Sequence, residues 1–103
     1  MSFLSSKLSS IKKPKTISGD YTARDGDQLL LDVTTTGFNV TLDPDAEDNA
    51  EIVLQHAHGN IKNNPVTVVG TVRGITNFQF KTNWSRMEFI KVGGDTGWLI
   101  TVT

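Results

Sequence analysis

One feature limits the fold more than any other. From Thr16 onward, short alternating apolar–polar runs recur about every eight to twelve residues, each closed by turn formers. Gln28–Thr34 places Leu29, Leu31 and Val33 on one face, and Phe38, Val40 and Leu42 alternate with Asn39 and Thr41. Glu51–Ala57, Pro65–Val72, Ile75–Lys81, Arg86–Val92 and Trp98–Thr103 continue the pattern, and Ile17–Thr22 reads as a first strand. Asp25-Gly26, Asp43–Ala50, His58–Asn64, Gly74, Thr82–Ser85 and Gly93–Gly97 read as turns or loops. Period-two alternation means strands with one buried face. No stretch after residue 15 has the length or spacing of a helix, so the helical crossovers of a βαβ fold have no source. The expected fold is all-β: an antiparallel β-sandwich, jelly-roll-like, of about eight short strands with an N-terminal extended arm. Its core should comprise Leu29, Leu31, Val40, Leu42, Ile52, Leu54, Val66, Val68, Phe78, Phe80, Phe89, Trp98 and Ile100. Gly70, inside a β-branched run, marks a bulge or a close backbone approach.

Charge divides the chain where the strand pattern begins. The 103 residues carry a net charge of −1, but Lys7, Lys12, Lys13 and Lys15 all precede Thr16, with no acid among them. The remaining six basic side chains therefore stand against all eleven acids, a body of −5. The expected organisation is a basic arm over residues 1–15 and one sandwich domain over 16–103. The arm also carries Phe3, and it spaces Leu4, Leu8 and Ile11 as one helical face until Pro14 ends it. It reads either as a solubilising tail or as a segment that orders on a partner. There is no cysteine, so disulfides, thiolate nucleophiles and cysteine–zinc sites are excluded. A small domain of this kind relies on its core or on neighbouring subunits. An acidic body argues against nucleic acid as a partner. No apolar run approaches the ~20 residues of a membrane-spanning helix, and no secretory signal pattern is present.

The candidate chemistry is sparse. His56 and His58 stand at i, i+2 and would share a strand face. They are read as two strand-end histidines, or as a metal pair completed by other copies on an oligomer axis. Asp43, Asp45, Glu47 and Asp48 make an acidic loop that matches a calcium-binding loop poorly and reads as solvated, or as a dock for a neighbour's basic arm. Ser18 and Ser85, the serines outside the arm, lie in no nucleophile elbow, and no glycine-rich loop enters a helix. The expectation is a non-enzymatic protein without a cofactor. Trp84, in a turn beside Asn83, either folds over the sandwich rim or stacks on a sugar or a partner surface. Tyr21 and the asparagines at 60, 63 and 64 are the other candidate contacts for such a ligand.

Several segments resemble the small β-sandwich modules of tailed-bacteriophage virion proteins: Asp27 through Leu42 with its GFNVTL ending, Glu51-Ile52-Val53-Leu54, Asn64-Pro65-Val66-Thr67-Val68, and the closing Gly97-Trp98-Leu99-Ile100. The likeness covers residues 16–103 and departs at Asp43-Pro44, where a proline would be expected directly after the VTL strand. It implies a virion structural protein, assembled in the host cytoplasm. The first role it implies is a capsid decoration or cement protein that docks on the major capsid protein or other virion proteins. Docking would use Phe3, Leu4, Lys7, Leu8, Ile11, Lys12, Lys13 and Lys15, and self-association would give a homotrimer. The alternative role is a tail-fibre or tail-tip module that binds host-surface glycan. A cellular carbohydrate-binding or adhesion module is a third reading, from a different class.

Overall fold

A computed structural model describes residues 13–102. The described residues are all-β, with nine strands: β1 (Lys15–Ile17), β2 (Tyr21–Ala23), β3 (Gln28–Asp32), β4 (Asn39–Leu42), β5 (Glu51–His58), β6 (Val66–Val72), β7 (Ile75–Phe80), β8 (Arg86–Gly93) and β9 (Gly97–Val102). The segment expected as one strand over Ile17–Thr22 is two, parted by Ser18-Gly19-Asp20. The Asp20 side chain is turned to accept the backbone N–H of Asn39 at 2.8 Å, which ties that bend to the start of β4.

The expectation of antiparallel pairing needs correction. Four ladders are parallel: β1–β3, β3–β5, β2–β4 and β4–β6. Antiparallel pairing is confined to β5–β8, β8–β9, β6–β7 and the short β6–β9 contact. Parallel neighbours need a crossover connection, and here a strand takes the place of the helix. The chain winds as a coil, with β1, β3 and β5 laid side by side and β2, β4 and β6 laid side by side as their return passes. The β7 and β8–β9 passes then finish the winding with hairpin-style pairing. Two rows result, β1-β3-β5-β8-β9 and β2-β4-β6-β7, joined among the described residues where Val72 pairs with Gly97 and Trp98 and the Arg73-Gly74 turn bonds to Trp98 and Thr96.

Both rows contribute to one core. Leu29, Leu31, Ile52, Leu54, Met87, Phe89 and Trp98 come from the first, and Val40, Leu42, Val66, Val68, Val72 and Phe80 from the second. Each large apolar side chain removed from water here is worth on the order of 2–3 kcal/mol. Of the expected core residues, Phe78 and Ile100 are only half-buried and pack at its margin. Ile61, in the Asn-rich loop, is fully buried. The bulge at Gly70 is present, with φ 143 and a register shift between Val68 and Thr71. Asn77, itself at φ 57, closes it by accepting the Gly70 N–H at 3.1 Å. Arg73 and Gly74, both at positive φ, form the two-residue turn between β6 and β7.

The winding sorts the loops to two ends. One end collects residues 18–20, 33–38, 59–65 and 81–85. The other collects 24–27, 43–50, 73–74 and 94–96. The second end holds Asp25, Asp27, Asp43, Asp45, Glu47, Asp48 and Asp95 against Arg24 and Arg73, so most of the body's negative charge sits there.

Candidate functional site

Two surfaces stand out, one apolar and one aromatic. The apolar one follows from the topology. β7 pairs with β6 alone, and β9 pairs with β8 and touches β6 only at its first residues. Each keeps a free edge beyond that point, and the two edges flank a recess of about 300 Å³. Val72, Ile75 and Phe78 line it from one row, and Met87, Ile100 and Val102 from the other. Ile75 is 64% exposed and Val102 55%. Neither Ile75–Phe80 nor Gly97–Val102 contains a charged residue. Long uncharged apolar edges are what isolated sheets avoid, and only Arg73, in the β6–β7 turn, brings a charge to the recess.

The aromatic surface lies at the loop end that carries 59–65 and 81–85. His56, at the end of β5, is buried, and both of its ring nitrogens are engaged. Nε2 faces the Gly59 carbonyl at 2.7 Å, and Nδ1 faces the Trp84 backbone N–H at 2.8 Å. The Trp84 N–H can only donate, so Nδ1 accepts and Nε2 carries the proton, the neutral tautomer. Asn83 Oδ1 accepts the Ile61 N–H at 2.9 Å, and its amide reaches Asn60 Oδ1 at 3.3 Å. These bonds tie the two loops together. Trp84 sits on this brace at φ 62 and is 73% exposed as a residue. The ring centroid lies 5.0 Å from that of His56, tilted by 55°.

The remaining predicted residues fall as follows. The metal reading of His56 and His58 loses its first ligand, because His56 has no lone pair to spare. His58 is exposed at the strand end, opposite Asp32. In the acidic loop, Asp43 accepts the Asp45 N–H at 2.9 Å and pairs with Arg24 at 3.2 Å. No group of three or more potential metal ligands occurs among the described residues. Trp84 does not fold over the rim. Tyr21, at the start of β2, is half-buried and lies under the Lys15 ammonium, 4.7 Å from its ring centroid. Lys15 is the first residue of β1, paired with Leu29, and so belongs to the sheet. Lys13 is exposed, and Phe3, Leu4, Lys7, Leu8, Ile11 and Lys12 lie outside the described residues.

The Asp32 carboxyl is held below the usual aspartate value, chiefly by the hydroxyl and then by the backbone N–H of Thr34, at 2.7 and 3.0 Å. This is an ordinary turn-stabilising carboxylate, half-buried at the end of β3 and pointing away from the core face. Sequence reasoning missed the open β7–β9 edge altogether. The signal was available in ITNFQF and WLITVT, two strands without a single charge. No family model and no curated protein matches this chain.

Proposed function

We propose that this chain is a structural module of a tailed-phage virion, a capsid decoration or cement protein that associates with copies of itself. The observation that carries the reading is the free β7–β9 edge. The domain leaves two uncharged strands along one side, with Ile75 and Val102 exposed beside a largely apolar recess. Patches of this kind mark interaction sites, and cover by another protein surface removes the edge liability. In this reading the two strand rows act as the facing sheets of a sandwich that is completed by its neighbours. The homotrimer and the basic arm of residues 1–15 extend the same reading. The arm adds a cationic contact for the major capsid protein, and its chain leads into β1 from the acidic loop end.

The test is localisation in purified virions of the phage that encodes the chain. Density for the domain on the head surface supports decoration. Density at the tail tip alone, or absence of the protein from virions, overturns it.

A further inference from the structure

The Trp84 turn has no role in an edge-to-edge assembly, and its geometry is costly. A non-glycine residue in the left-handed region loses roughly 1 kcal/mol or more. Here that residue is the largest side chain available, and it is turned outward. Backbone outliers held by surrounding structure concentrate at binding sites. Two independent braces hold this one: the buried His56 ring, which takes the Trp84 N–H, and Asn83, which clasps the 59–65 loop.

We propose that Trp84 is a stacking platform for a pyranose ring of a polysaccharide. A sugar ring has one apolar C–H face and a rim of hydroxyls, so it needs a flat aromatic surrounded by hydrogen-bonding groups. Trp84 is placed that way. Lys81, Thr82 and Asn83 on its own loop are exposed, and so are Asn60, Lys62 and Asn63 on the loop that Asn83 ties to it. The Asn60 amide hydrogens have no intramolecular acceptor among the described residues, and Asn83 uses one of its two. The tilted contact of Trp84 with His56 fixes the ring plane before any ligand arrives, which lowers the ordering cost of binding.

The chain's second tryptophan, Trp98, is buried, so the two indoles report separately. The experiment follows both indole N–H signals by NMR in the intact protein. The added probes are maltohexaose, cellohexaose, chitohexaose and hexagalacturonic acid. At least one should shift the Trp84 signal in a saturable way and leave Trp98 in place. Trp84→Ala should weaken that binding at least tenfold, and Trp84→Tyr should retain part of it. The proposal is overturned if none of the four shifts Trp84 at millimolar concentration. Unchanged affinity in Trp84→Ala also overturns it. So does a Trp84 signal that responds only to self-association of the protein, which would make the indole a subunit contact.

Discussion

The backbone N–H of Trp84 donates to Nδ1 of His56 across 2.8 Å. A buried imidazole thereby fixes an exposed indole on a different loop. This bond sets the conformation of the 81–85 turn and selects the His56 tautomer.

Replacing His56 with Phe keeps a planar ring, somewhat larger, but removes both of its hydrogen bonds. The Gly59 carbonyl and the Trp84 N–H lose their partner, at about 1–3 kcal/mol for each group left buried and unsatisfied. A loss of roughly 2–4 kcal/mol is expected in urea unfolding. His56→Gln should recover part of it. In the parent protein, the nitrogen chemical shifts of the ring should report a proton on Nε2.

Trp84→Gly should act in the opposite direction. It relieves the positive-φ strain and gives up little buried surface, so stability should stay level or rise by up to about 1 kcal/mol. A large destabilisation in the same unfolding measurement would make the indole a packing residue.

Glycine positions give a sharp contrast. A Cβ at Gly97, where φ is 71, would lie 2.3 Å from the Thr71 carbonyl oxygen, and one at Gly19 would meet nothing within 4 Å. Gly97→Ala should therefore cost about 2–3 kcal/mol and weaken the β6–β9 junction between the strand rows. Gly19→Ala should be neutral or slightly stabilising. Thermal melts of the two variants distinguish these outcomes.

Asp32 makes a small, signed contribution to pH dependence. Its folded pKa lies below the unfolded value, so the folded state gains stability that is present above the unfolded pKa of about 3.9. That gain is lost as pH falls through the lowered folded value. Thr34→Val removes the principal cause, the hydroxyl bond. It should move the carboxyl titration upward, toward the ordinary aspartate range, in a carboxyl-detected NMR titration.

Much of the fold is readable in single residues. Alternation places Leu29, Leu31, Val40 and Phe80 in the core, Gly70 announces its bulge, and Asn83-Trp84 announces its turn. Strand partnering is not readable in the same way, because period two looks alike in parallel and antiparallel ladders. The coil is also hidden. Its return loops at one end, 18–20, 33–38 and 59–65, lengthen from pass to pass, so no fixed repeat reaches the sequence. Ile61 is obscured by its polar loop, whose backbone is tied at Ile61 to Asn83 in a distant turn. For His56 and His58 the spacing shows a shared direction and leaves a metal pair as an alternative, while hydrogen-bond occupancy becomes visible only in three dimensions.

The central claim is that the β7–β9 edge joins this chain to copies of itself. It is tested most directly by sedimentation of the full chain beside the double variant Ile75→Lys/Val102→Lys. The account predicts a parent species at a multiple of 11.3 kDa, and a folded variant that sediments as the monomer. A parent protein that remains an 11.3 kDa monomer at high concentration, or a variant that associates as strongly as the parent, would contradict it.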